Sequence, residues 1–146
     1  MRKLVLIAVV LAAAYFGGVE SGFIAPLHGA GTTASAGDEV LAAAFKNRQS
    51  DVQVQGSGRV SRVLADDNDG SRHQRFIVQL SSGQTLLVAH NIDLASRVAS
   101  IKAGDSVEFN GEYEWNERGG VIHWTHRDPQ GSHADGWIKH EGRTYQ

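Results

Sequence analysis

The sequence predicts an all-β protein: a small, OB-type five-stranded barrel with a short N-terminal helix and a helical insert between strands 3 and 4. Three observations predict it. Segments between Val52 and His126 alternate apolar and polar residues with a period of two, as half-buried strands do. Between the third and fourth segments the alternation breaks at Asn91–Ala103, where Ile92, Leu94, Val98 and Ile101 recur at roughly helical intervals. Gly56 and Gly58 remove side chains from the inner face of the first segment, where a strand must bend around a small barrel. Three strands, a helical insert and two strands make the order of an OB-type barrel; an SH3-like or other small barrel is the alternative.

The elements follow in chain order. Arg2 and Lys3 precede an apolar run from Leu4 to Gly18, so residues 1–20 read as a signal peptide or signal anchor. The run is shorter than the ~20 residues of a spanning helix, and Glu20 follows it closely. Residues 21–37 read as a flexible linker, rich in Gly, Ala, Ser and Thr from Gly29 onward. Ala34-Ser35-Ala36 has the form of a cleavage site but lies far beyond the apolar run, so an uncleaved tether to the inner membrane is the alternative to cleavage. The protein is expected to be exported, periplasmic or extracellular, meeting a membrane only through this segment. A single domain is expected over residues 38–146.

Asp38 is expected to cap a helix running to about Asn47, with Val40, Leu41, Ala44 and Phe45 on its buried stripe. Val52–Leu64, His73–Leu80 and Thr85–His90 are the first three strands, the last two joined by the turn Ser81-Ser82-Gly83-Gln84. The fourth strand begins after Gly104-Asp105, with Val107, Phe109, Gly111, Tyr113 and Trp115 inward and Glu108, Asn110, Glu112, Glu114 and Asn116 outward. Glu117-Arg118-Gly119-Gly120 is read as a hairpin loop, leading into a fifth strand, Val121–His126. If Asn116 pairs with Val121, then Glu114 lies opposite His123, Glu112 opposite Thr125, Tyr113 opposite Trp124 and Gly111 opposite His126. Tyr113, Trp115 and Trp124 then fall in the core. Trp137 is expected on a C-terminal strand or tail, covering a barrel end or edge.

The chain has 146 residues, a net charge of −2 and no cysteine. The last fact excludes disulfides, thiolate metal sites and cysteine nucleophiles. Removing Arg2 and Lys3 from 14 basic residues and Glu20 from 16 acidic ones leaves residues 37–146 at −3. This segment retains six of the seven histidines, whose protonation would reverse its charge to +3 in mild acid. Histidine is therefore its most informative residue.

Several strings are long and unusual: His73-Gln74-Arg75-Phe76-Ile77, His90-Asn91-Ile92-Asp93-Leu94-Ala95, Gly111-Glu112-Tyr113-Glu114-Trp115-Asn116, Ile122-His123-Trp124-Thr125-His126 and Gly136-Trp137-Ile138. On these, from about Gly56 to Gln146, the chain resembles domain-of-unknown-function family 3465, a family of exported proteins. The resemblance implies no mechanism.

Chemistry is read from the residues instead. His126, Asp128, His133, Asp135 and His140 crowd into fifteen residues, and His90 closes the third strand. Imidazole and carboxylate suit a divalent metal such as zinc, so His90, His126, Asp128 and His133 form the candidate metal set. Asp93, Glu114 and His123 are the candidate catalytic residues, Glu114 and His123 as a cross-strand acid–base couple or a solvated pair. Arg75, His73 and Trp137 are the candidate ligand-binding residues. The Asp66-Asp67-Asn68-Asp69-Gly70 loop fails the EF-hand pattern, because its first and twelfth positions fall on Ala65 and Phe76.

Two function classes follow. A binding module for a small ligand, a metal, a glycan or an envelope protein suits the charge, whereas nucleic acid is disfavoured by the acidic first loop and fourth strand. The alternative is a metal-dependent hydrolase, phosphodiesterase- or nuclease-like, with Asp66, Asp67 and Asp93 on the metal and Arg75 as a clamp. That alternative resembles the staphylococcal nuclease family in fold only. The nuclease strings Asp-Gly-Asp-Thr and Asp-Thr-Pro-Glu are both missing here. No nucleophile elbow, phosphate loop or dinucleotide fingerprint is present, which favours binding.

Overall fold

A computed structural model of the protein describes residues 35–146. The signal segment and nearly all of the linker expected from the sequence lie outside the described residues.

The first element is a helix, α1 (Ala36–Lys46). Its N-cap is Ser35, not the expected Asp38: Ser35 Oγ accepts from Asp38 N at 3.2 Å and donates to Asp38 Oδ1 at 3.0 Å. Asp38 is therefore the third helical residue, and its carboxylate accepts from the capping hydroxyl. Its buried carboxylate also accepts from Ser81 Oγ, which ties the helix to a strand turn. Leu41 and Ala44 enter the core, while Val40 and Phe45, expected on the buried stripe, flank it and stay exposed. Phe45 stacks on Trp115 instead.

The strands are β1 (Val52–Val63), β2 (His73–Gln79), β3 (Thr85–Asn91), β4 (Ser106–Glu114), β5 (Val121–His123), β6 (Trp137–His140) and β7 (Arg143–Tyr145). Their order is β1-β2-β3-β5-β4, and β4 pairs back to β1, which closes a five-stranded barrel. β3 and β5 are parallel and the other pairs antiparallel, the OB-type arrangement expected from the sequence.

β1 makes the closure possible. Val52–Arg59 pair with β4 and Arg59–Val63 pair with β2, with a register shift between Val60 and Arg62 where the strand bends. Gly56 and Gly58 face inward as expected. A Cβ on Gly56 would lie 2.8 Å from the Phe109 ring, and one on Gly58 would lie 2.5 Å from Val78 Cγ1. Phe76, Val78, Leu86, Val88, Phe109, Tyr113, Ile122 and Ile138 fill the barrel and are fully buried.

The helical insert expected between strands 3 and 4 is not a helix; residues 92–105 form turns. Side chains take over the role of helical hydrogen bonds there. Buried Gln74 donates to Val98 O and accepts from Val98 N, at 3.1 and 2.8 Å, while Asn91 Oδ1 accepts from Asp93 N and Leu94 N. The apolar spacing reflects contacts made one residue at a time, with only Val98 buried.

The fifth OB strand is split. β5 ends at His123, three residues earlier than expected, because Trp124 adopts φ 56°. β6 then resumes antiparallel pairing with β4. From His123 to Trp137 the chain advances fourteen residues while its partner on β4 moves only two, from Glu112 to Asn110, so the intervening segment 124–136 is looped out. Among the described residues no helix is long and apolar enough to cross a membrane.

Candidate functional site

Strict alternation along β4 buries Val107, Phe109 and Tyr113 and turns Glu108, Asn110, Glu112 and Glu114 outward. The pairing with β5 differs from expectation by two residues: Glu112 lies opposite His123, Tyr113 opposite Ile122 and Glu114 opposite Val121. A two-residue slip keeps every side chain on its face. Its cause is Asn116, whose Oδ1 accepts from Arg118 N and Gly120 N, both at 2.9 Å, and so draws Asn116 into the loop.

His123 Nε2 lies 3.3 Å from Glu114 Oε1, and donor atoms of Glu112, Glu114 and His123 all fall within 4.8 Å of one another. The three side chains are half-buried.

The looped-out segment 124–136 folds back against Glu112 on this face and leaves Glu114 and His123 half-exposed. Its base is closed by Gly136 N donating to His126 O at 2.8 Å. Asp128 is its hub, accepting from Gln130 N, Ser132 N, Ser132 Oγ and His133 N. These bonds, the one from Gln130 N first, hold the Asp128 carboxyl at about 2. With the folded value below the ordinary 3.8, Asp128 stabilises the segment fully above that pH and loses its effect as pH falls toward about 2. The amide NMR shifts of Gln130, Ser132 and His133 are expected to move together between pH 5 and 2, with a midpoint well below the ordinary carboxylate value. A midpoint at that ordinary value would show these bonds to be absent in solution.

His133 reaches back from the segment. Its ring stacks on Trp124 with centroids 4.0 Å apart and planes at 10°. Nδ1–H donates to Ala134 O at 2.8 Å, and Nε2 pairs with Glu112 Oε2. The Ala134 carbonyl first, and then the Glu112 carboxylate, raise the pKa of His133 above the usual imidazole value. Trp124, expected in the core, is half-buried as the platform for this ring.

The other metal candidates are occupied differently. His90 is fully buried, and burial lowers its pKa. Its Nε2–H donates to Ser96 O at 2.9 Å and its Nδ1 accepts from Thr125 Oγ1 at 2.7 Å, so both nitrogens hold loops to β3. His126 is buried and donates Nδ1–H to Arg127 O at 2.7 Å. Among the described residues, the donor groups of three or more within reach of one ion are Glu112–Glu114–His123 and Asp105–His140–Glu141. The set His90, His126, Asp128 and His133 is neither of these.

The second group resembles a latch more than a metal site. Asp105 Oδ1 accepts from Lys102 Nζ at 2.9 Å and Oδ2 from His140 Nε2 at 2.8 Å. These bonds, the one from Lys102 first, bring the Asp105 carboxyl to about 2. Lys102 N adds a third bond to Oδ2 at 3.1 Å, and through His140 this carboxylate fastens β6 to the start of β4.

The remaining candidates are dispersed. Asp93 accepts from both N and Nε of Arg72 at 2.8 Å, bonds that lower its pKa, the backbone one first. Arg75 Nε donates to Ala65 O at 3.0 Å and His73 Nδ1–H to Ser71 O at 2.8 Å, both from β2. Trp137 stands on β6, not adjacent to β2, with Lys139 Nζ 4.3 Å from its ring centroid. In the first loop, Asp66 pairs with Arg97 and Asp67 Oδ1 accepts from Asp69 N. Glu112 is the site residue that sequence reasoning passed over; its outward position between Asn110 and Glu114 was the available signal.

Residues 24–146 match the family model described as "Protein of unknown function (DUF3465)". No curated protein matches the chain.

Proposed function

Because the chain belongs to the DUF3465 family, whose description assigns no activity, we propose from the site itself that it is an exported binding module for a divalent transition-metal ion such as zinc. One observation carries this reading: two carboxylates and an imidazole, from Glu112, Glu114 and His123, converge within 4.8 Å on the outer face of β4 and β5. Nitrogen and oxygen donors in this number suit zinc and leave a coordination position open. A small ligand bearing a nitrogen or oxygen donor completes the set. Polyanions are disfavoured on this face, because Glu108, Glu112 and Glu114 line it. The basic and apolar N-terminal pattern of Arg2, Lys3 and Leu4–Gly18 supports delivery to the cell envelope.

In the alternative, a metal-dependent hydrolase, the bound metal would itself supply the Lewis acid and Arg75 is the added clamp that the sequence suggests. Arg75, the clamp expected from the sequence, lies on β2, which does not neighbour β4 or β5, and it bonds Ala65 O. Binding therefore stands ahead of catalysis. Calorimetric titration of zinc into the full chain, carrying no affinity-tag histidines, is expected to show one saturable site and a zinc-dependent rise in melting temperature. Glu114→Gln and His123→Ala are each expected to weaken that site at least about tenfold. A chain that shows neither saturable heat nor a shift in melting would end the reading. Zinc-dependent cleavage of a model phosphodiester, lost in His123→Ala, would reverse the order of the two classes.

A further inference from the structure

We infer that His133 is a positioning residue of this metal site: it holds Glu112 in the orientation that presents its free oxygen to the ion, and the 124–136 segment serves to deliver it. The inference rests on the metal reading above and deepens it.

The Ala134 carbonyl only accepts, so the nitrogen facing it, Nδ1, bears a hydrogen. Nε2 faces the Glu112 carboxylate, and a bond there requires Nε2–H as well. The ring is thus a two-armed donor between a backbone carbonyl and a carboxylate. An imidazole whose neighbouring groups fix both nitrogens orients its partner with little freedom.

The rest of the segment fixes the ring in turn. Asp128 Oδ2 accepts from His133 N at 2.7 Å, and the Trp124 ring lies parallel beneath the imidazole. The charged and titratable groups facing His133 are Glu112 on β4 and Asp128 within the segment. Glu112 Oε2 is engaged by His133, and the second oxygen of the carboxylate, Oε1, is the one we assign to an ion shared with Glu114 and His123. The donor logic also explains why His133, grouped with the metal ligands by spacing alone, lies outside the close donor cluster.

The test compares His133→Ala with His133→Gln in the full chain, using zinc titration and the visible spectrum of the cobalt-substituted site. Glutamine keeps an N–H that can reach Glu112, whereas alanine does not. Removing such an outer hydrogen bond is expected to lower zinc affinity by about 10–100-fold in the alanine variant and to shift its cobalt bands. The glutamine variant is expected to recover most of that loss. Both variants lose the stack on Trp124, so their metal-free melting temperatures fall alike, whereas their affinities separate. Wild-type affinity and an unchanged cobalt spectrum in both variants would overturn the inference and leave the metal reading standing. Equal loss in both would also overturn it, by showing that His133 only braces the segment. Failure of the unmodified chain to bind zinc would instead remove the metal reading, and this inference with it.

Discussion

Tyr113→Ala is expected to cost about 3–5 kcal/mol in a denaturant melt, the range for deleting a buried aromatic ring. The ring is fully buried near the end of β4, opposite Ile122, and its hydroxyl donates to Gly119 O at 2.9 Å. For a domain whose total stability is of order 5–15 kcal/mol, such a loss leaves a measurable unfolded fraction at room temperature. Tyr113→Phe separates the ring from the hydrogen bond. Gly119 O keeps a second donor, Gln84 Nε2 at 3.0 Å, so the phenylalanine variant is expected to lose only about 1 kcal/mol. It should also bind zinc as the parent does, since Glu112 and Glu114 keep their face. A cost below about 2 kcal/mol for the alanine variant would mean that neighbouring side chains collapse into the gap. The barrel would then be more plastic than its close packing implies.

The barrel was legible because its causes are local and periodic. Val107, Phe109 and Tyr113 alternate with acids for the length of β4, and Gly56 and Gly58 mark the positions where the Phe109 ring and Val78 approach the backbone. What escaped depends on single side chains that replace backbone bonds. Gln74 holds Val98 in a run of turns whose apolar spacing imitates a helix. Asn116 lengthens the hairpin loop and slips the register, which sets Glu112 rather than Glu114 across from His123. The split fifth strand turns on the left-handed backbone of Trp124, which side-chain alternation does not encode. The candidate site divides in the same way. Its richness in histidine and carboxylate was visible, and Glu114, His123 and His133 were all singled out. The pairing of Glu114 with His123 was visible from the strand alternation, whereas the addition of Glu112 and its bond from His133 was not, because residue spacing does not reveal which ring nitrogens already serve backbone carbonyls. His90 bonds two loop groups and is withdrawn from any ion, whereas His123 lies on an open strand face with Nε2 toward Glu114.

Gly136→Ala is expected to destabilise the protein by about 1–3 kcal/mol, and by more if the backbone cannot shift. A Cβ at this position would overlap Trp124 O and would lie 2.6 Å from Asn110 O and 2.9 Å from Thr125 Cα. All three are backbone atoms, so no side-chain rotation relieves the clash. The strain falls where the looped-out segment rejoins β4, beside the bond from Gly136 N to His126 O. Opening that base moves the whole segment, and with it the His133 ring that engages Glu112. The variant is therefore expected to lose zinc affinity in step with His133→Ala, although residue 136 is no ligand. Gly131→Ala is the control. Gly131 has φ 70° at the segment's tip, with nothing within 4 Å of an added Cβ. The control is expected to incur only the cost of left-handed backbone, about 1–2 kcal/mol, and to leave zinc affinity nearly unchanged. Denaturant melts and zinc titrations of the two variants separate local strain from loss of the segment's anchorage. Equal zinc affinity in both would show that the segment keeps its place over β4 without the tight junction at Gly136.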